Sequence, residues 1–308
     1  MITVSDFYKR IFGQKVYKIS LDAGCTCPTR DGTKGKGGCI FCSQSGSGDF
    51  ATNKNLSIAE QVENAKLLVN RKFSRASARG EKTQKKYIAY FQNFTNTYGN
   101  PQNLLKKYQE ALLCKDVLGL AIATRPDCLD DEILSGISEL SQKYFIQLEL
   151  GFQTSNEKTA QYCRRAFSNS VYEDAVKKIT EFSAGKIHIV THLIFGLPGD
   201  SDDDMKNSVK YVCDVNQNKN WGIKITSLYI LKNTDLEKDF LQKKFNALSE
   251  EKYLELLKTA LSILPQNVVI HRLTGDPPKN LLIAPQWTAN KREVLNRIQH
   301  LFFRNSSD

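Results

Sequence analysis

Cys39 and Cys42 form a C-x2-C pair, a spacing that lets two thiolates grip one metal or cluster edge, and Cys27 stands twelve positions before them. The segment that carries them, DAGCTCPTRDGTKGKGGCIFCSQ (22–44), holds five glycines and a proline and follows a strand-like run, so the thiols sit on a loop at a strand end. Three thiolates so placed suit a [4Fe–4S] cluster with one iron left open. The competing chemistry is a zinc knuckle with Cys25 as fourth ligand. Its spacing is awkward, because one residue separates Cys25 from Cys27 where zinc sites usually leave about two to four. Cys114, Cys128, Cys163 and Cys213 are scattered singly and read as small buried hydrophobes.

The elements around that loop alternate. VYKISL (16–21), KYIAYF (86–91), VLGLAIAT (117–124), YFIQLEL (144–150), IHIVTHLIF (187–195) and IKITSLYIL (223–231) have strand length and β-branched or aromatic content. Between them 58–73, 101–113, 130–142, 170–182 and 202–215 have helical spacing with acidic or proline starts. This order predicts an α/β fold with a parallel sheet and right-handed crossovers, and several strands are apolar on both faces, as a helix-covered partial barrel requires. In such barrels chemistry sits on loops at the C-terminal ends of strands, which favours the iron–sulfur reading of the cysteine loop. The pattern breaks after residue 232. Residues 233–308 add helical runs at 250–264 and 291–303, a short strand VVIHRL (268–273) and a Gly/Pro loop TGDPPKN (274–280), expected as a small α/β extension packed on the 1–232 core.

Composition narrows the class. A chain of 308 residues buries enough surface to need neither metal nor disulfide for its core, so a metal-binding cysteine set calls for a functional explanation. No apolar run reaches the roughly 18 residues of a membrane span, and the first residues lack a signal peptide's apolar stretch, so the protein is expected in the cytoplasm with thiols reduced. Lys and Arg number 43 against 33 Asp and Glu, a net charge of +10. The run RKFSRASARGEKTQKK (71–86), with seven basic residues and one acidic, points to a polyanion partner or to a solvated loop.

Further motifs fall in order behind these strands: YFQNFTNTY (90–98), TRPD (124–127), LELGFQTS (148–155), HLIFGLPG (192–199) and IHRLTGDPP (270–278). With C-x11-C-x2-C, KVYKISLDAG (15–24) and RDGTKGKGGC (30–39), the chain resembles a radical S-adenosylmethionine (SAM) enzyme. More narrowly it resembles the branch related to the catalytic subunit of elongator and, within it, the YtqA/YhcC-like (MnmL-type) family. The match runs in order over almost the whole chain. The resemblance implies a partial (β/α)6 barrel of the radical SAM type, a [4Fe–4S] cluster held by Cys27, Cys39 and Cys42, and SAM chelating the open iron and cleaved to a 5′-deoxyadenosyl radical. It implies contacts to SAM or substrate from Gln92, Thr95 and Asn96 after the second strand, to the SAM ribose from Glu149, to its methionine side from Gln153, and to its carboxylate from Arg165. The backbone at Gly196 would approach the adenine, and His192 would point from its strand into the barrel.

Blander readings stand beside these. Asn100 and Pro101 would simply start a helix; Arg164 and Arg165 would be a solvated pair; Arg125 would pair with Asp127; His192 would be a satisfied core residue. A carboxylate inside an apolar strand, as at Glu149, is costly unless paired, so a purely structural Glu149 needs a partner. The resemblance further implies an external electron donor such as flavodoxin or ferredoxin, and tRNA as substrate, with the C5 side chain of the wobble uridine converted from carboxymethylaminomethyl to aminomethyl. A radical enzyme acting on a small molecule or protein, and a non-enzymatic zinc protein binding RNA, are the alternatives.

Overall fold

The computed structural model describes residues 1–44, 46, 53–74 and 85–302. The chain enters through β1 (Ile2–Thr3) and α1 (Val4–Phe12). It then alternates β2 (Val16–Leu21), α2 (Ile58–Ser74), β3 (Lys86–Phe91), α3 (Pro101–Leu113), β4 (Val117–Thr124), α4 (Asp131–Ser141), β5 (Phe145–Gln153), α5 (Glu157–Tyr162), α6 (Asn169–Ser183), β6 (His188–Phe195), α7 (Asp202–Val215) and β7 (Trp221–Ser227). It ends with β8 (Ile230–Leu231), α8 (Asp235–Leu241), α9 (Glu250–Ile263), β9 (Val269–Arg272), β10 (Leu282–Ala284) and α10 (Lys291–Phe302). Eight strands pair in the order β1-β9-β7-β6-β5-β4-β3-β2, every neighbour parallel, in the curled half-barrel the alternation predicted. β8 and β10 form a separate antiparallel pair.

Local chemistry explains where the elements start. Asn100 accepts from the amide of Asn103 and Pro101 opens α3, while Ser201 and Asp204 exchange side-chain and backbone bonds in a capping box at α7. The helices lay their apolar faces on the sheet; Ile133, Ile137, Tyr172, Val176, Val209 and Leu257 have no measurable exposure.

Three arrangements differ from expectation. α1 and β1 have no counterpart among the elements expected above. Because β1 and β2 lie on opposite edges of the sheet, α1 has to cross the barrel, and it closes the N-terminal mouth. The Phe7 ring lies 4.5 Å from that of His188, and Tyr8 donates from its hydroxyl to Gln147 Oε1 at 3.1 Å. The strand expected over 223–231 divides: β7 ends at Ser227, and Ile230–Leu231 leave the main sheet to pair with β10. The strand expected over 268–273 is β9, and it lies in the main sheet between β7 and β1. Of the basic run 71–86, residues 75–84 lie outside the described residues. No helix among the described residues is long and apolar enough to cross a membrane.

Candidate active site

The cysteine loop leaves β2 at the C-terminal end of the barrel and is held by bonds the sequence disguises as a polar linker. Gly37 and Gly38 take φ of 81° and 78° immediately before Cys39, a left-handed pair that residues with a side chain resist. At Gly38 a Cβ would also meet the Arg30 side chain at 2.8 Å. Arg30 needs that space because its guanidinium donates to Ser43 O at 2.5 Å and to Cys42 O at 3.4 Å, fixing the turn that presents Cys42. Lys34 pins the loop to the end of β4 through Asp127 at 2.6 Å, and Asp127 is bound in turn by Arg125 at 2.9 and 3.0 Å. The Arg125–Asp127 pairing anticipated from TRPD is therefore present, with the loop tied to it.

Cys27, Cys39 and Cys42 line one cavity of about 620 Å³ at the C-terminal end of the barrel. Cys27 has hydroxyls on both sides, Thr29 at 3.2 Å and Thr95 donating at 3.4 Å. The hydrogen bond from the Cys42 thiol, with the Arg125 and Arg30 cations, draws the Cys39 thiol down to about 7, while the same bond and burial hold Cys42 up. Cys25 faces elsewhere. It lines a different cavity with Lys107 and Asn103, and burial pushes its thiol up to about 11. Gln92, Thr95, Gln153 and His192 line the thiol cavity. Gln153 sits at a register shift in β5 with φ of 68°, which re-aims the strand end.

The cavity floor is a buried ionic network. Glu149, 5% exposed, accepts from Lys18 at 2.8 Å, Gln147 at 2.6 Å, Tyr90 at 2.6 Å and Lys224. Burial works against its charge, but the two lysines outweigh it and hold the carboxyl well below its ordinary value. One carboxylate cannot neutralise two ammoniums equally: the pair with Glu149 raises Lys18 in spite of burial, whereas burial pushes Lys224 down to about 7. His192 shares a hydrogen bond with Thr226 at 3.1 Å, and burial beside Lys224 and Arg272 keeps its imidazole neutral, near 3. The partner that a structural Glu149 requires is thus a pair of lysines inside apolar strands. Lys18 in VYKISL and Lys224 in IKITS carried the same signal as Glu149, a charge where burial forbids a lone one.

The family is decided by comparison with known proteins. Residues 32–212 match the Radical SAM superfamily, and residues 220–302 match the Radical_SAM C-terminal domain. The chain belongs to the radical SAM superfamily. Among its relatives, YtqA of Bacillus subtilis is 39% identical over 96% of this chain and 87% of its own length, and YhcC of Escherichia coli is 33% identical over 92% and 85%. A tRNA uridine(34) acetyltransferase of Methanocaldococcus jannaschii is 24% identical over 58% of this chain, which spans 32% of that enzyme. The fold is similar to that of the archaeal Elp3 of Methanocaldococcus infernus, with TM-score 0.63 and 18% identity over 92% of this chain and 63% of that one.

Radical SAM enzymes use a [4Fe–4S] cluster and SAM, and this donor set fits them. Three thiols face one cavity, one of them drawn toward thiolate, and the fourth cysteine of the loop is turned away. Three other residues expected at the cofactor do not line the cavity. Asn96 is fully buried and ties the loop by donating to Phe91 O, Asn93 O and Ala123 O at 2.9 to 3.0 Å. Gly196 (φ 88°) turns the chain at the end of β6, its amide donating to Met205 Sδ at 3.1 Å. Arg165 is neither a solvated residue nor poised for a ligand: it is 2% exposed, and its five N–H donors go to Phe152 O, Thr154 O, Phe167 O, Glu157 and Asn169. A guanidinium has five donors, so none is left for a SAM carboxylate in this arrangement. Arg165→Met is expected to destabilise the fold by about 3 kcal/mol, because buried carbonyls lose their partners; a urea midpoint within error of wild type would refute that role.

Proposed function

We propose that the protein is a radical SAM enzyme acting on the C5 side chain of the wobble uridine of tRNA, taking carboxymethylaminomethyl-uridine to the aminomethyl form; the N–CH2 carbon of the carboxymethyl group would give up two electrons, with SAM as the oxidant, and water would then release it from the nitrogen as a two-carbon oxo acid. The observation that carries the reading is the charge of the thiol cavity. Among the described residues, Arg30, Arg125, Lys224, Arg272 and Lys291 line it against Glu149 and Asp276, and such a surplus favours an anionic substrate. The likeness to tRNA uridine(34) acetyltransferases supports RNA as the substrate class, as does the net charge of +10.

Each part of the chain then has a task. Cys27, Cys39 and Cys42 would hold the cluster, and Thr95 and Thr29 orient the Cys27 sulfur. When bound, the cluster and SAM supply one-electron cleavage of a carbon–sulfur bond and, through it, hydrogen abstraction. Gln92 and Gln153 offer the polar contacts that position SAM in the cavity. Phe41, Phe94, Ile194, Leu228 and Leu231 make the apolar part of the wall, and α1 packs against the barrel's far end through Phe7 and His188.

The test is anaerobic reconstitution with iron and sulfide, addition of SAM and dithionite, and analysis of both 5′-deoxyadenosine and the nucleosides of added tRNA. The expected result is loss of carboxymethylaminomethyl-uridine with gain of the aminomethyl form. If 5′-deoxyadenosine forms at a rate indifferent to tRNA and the nucleoside is unchanged, the substrate is a small molecule or protein. One zinc and no sulfide would remove the enzymatic reading altogether.

A further inference from the structure

The IHRLTGDPP motif finds no task in the cofactor chemistry, yet it places Arg272 and Asp276 in the wall of the cavity. Arg272 on β9 is the register partner of Lys224 on β7, so a guanidinium and an amine that protonates when an anion pairs with it stand side by side on neighbouring strands beside His192. Like charges directly across a parallel pair repel unless something anionic lies between them. Neither has a carboxylate to itself. Glu149 is shared with Lys18, and Asp276 is bound by Lys291 while meeting Arg272 only at 3.9 Å, beyond hydrogen-bond reach. Among the described residues the Arg272 guanidinium donates no hydrogen bond, although the side chain is about a third exposed and lines the cavity. A guanidinium in that state is a fork awaiting a planar anion.

We propose that Lys224 and Arg272 form the seat for the carboxylate of the substrate's side chain, and so decide which uridine derivative is accepted. This rests on the reading of the preceding section. The same cations suit a phosphate, but Lys224 lies on the floor of the barrel and is 8% exposed, a depth that the backbone of a folded RNA does not reach. An acid carried on a base turned out of its stack does reach it. Lys291 acts one step back: by holding Asp276 it keeps that carboxylate off Arg272.

The experiment uses the reconstituted enzyme and a synthetic anticodon stem-loop RNA whose wobble uridine carries the carboxymethylaminomethyl group either as the free acid or as its methyl ester, which keeps the shape and removes the charge. Binding of each is measured by fluorescence anisotropy, and binding of SAM alone by calorimetry. Wild type is expected to prefer the acid by about tenfold or more, a preference that falls to near unity in Arg272→Met and in Lys224→Met and is partly kept in Arg272→Lys. Lys291→Met, which leaves both seat residues in place and frees Asp276 to occupy Arg272, is expected to lower the preference as well, and serves if either seat variant fails to fold. Equal binding of acid and ester by wild type overturns the assignment. So does a loss of affinity for both RNAs alike in Arg272→Met, the mark of a phosphate contact, or a loss of SAM affinity in that variant, the mark of a cofactor contact. Failure of wild type to bind either RNA counts against the tRNA reading, and this assignment falls with it; binding without discrimination counts against the assignment alone.

Discussion

Alanine at Cys27, Cys39 or Cys42 is expected to reduce bound iron and sulfide, and 5′-deoxyadenosine formation, to background, while alanine at Cys25 leaves the iron content unchanged. The contrast follows from the loop's geometry. Three thiols face one cavity, and the turn carrying Cys42 is fixed by Arg30, so removal of one sulfur leaves two ligands that the rigid loop cannot supplement. Cys25 looks into another cavity beside Lys107, whose ammonium is engaged by Ala23 O. To reach the first cavity it would have to turn around Thr26, whose carbonyl is bound by the amide of Thr95 at 3.2 Å. Iron and sulfide assays on the four variants, run beside a zinc assay, decide the matter. Equal metal loss in all four with one zinc per chain would mean a four-thiolate knuckle and would end the radical SAM reading of the loop.

Much of this architecture is legible in the sequence where the signal is local. The strands β2, β3 and β4 and the helices α3 and α7 fall on the expected residues, because β-branched runs bounded by caps leave little choice. What escapes is non-local. The capping of α1 is written in the chain, with Thr3 accepting from the Asp6 amide and Gly13 in the left-handed region, but nothing local says that it crosses the barrel, since that depends on β1 and β2 lying at opposite edges. VVIHRL looks like the same kind of short strand whether it joins the main sheet or a separate one; pairing with β7 and β1 is settled by the long connection through α9. At the site, cysteine spacing is readable because the ligands are neighbours in sequence. The Lys18–Glu149–Lys224 network is not, because its members are more than 70 residues apart and each looks, alone, like an anomaly in an apolar strand. Arg165 misleads for the opposite reason: a motif position predicts a ligand contact, and the fold uses every donor on its own acceptors, three backbone carbonyls and the side chains of Glu157 and Asn169.

The second large effect belongs to that network. Glu149→Leu is expected to destabilise the protein by about 3 to 5 kcal/mol, the usual cost of leaving buried charges without their partner. Urea unfolding should register it as a shift of the midpoint with little change in slope. Adding Lys224→Met to Glu149→Leu removes one of the two stranded ammoniums, so the double variant should recover part of the loss, with a coupling of about 1 kcal/mol or more. The wild-type pH dependence carries the same signature. The Glu149 carboxyl is held below its ordinary value, so its contribution is present above about pH 4.5 and fades as pH falls through the lowered value of the folded state. Lys224 has the opposite sign. Burial holds it near 7 against 10.5 in the unfolded chain, so between those values the unfolded state carries a proton that the folded state does not, and stability rises with pH across that window. Lys224→Met should flatten the alkaline rise and Glu149→Leu the acid fall. A Glu149→Leu protein whose midpoint moves by less than about 1 kcal/mol equivalent would mean that both lysines reach water without it, and that the floor of the cavity is wet.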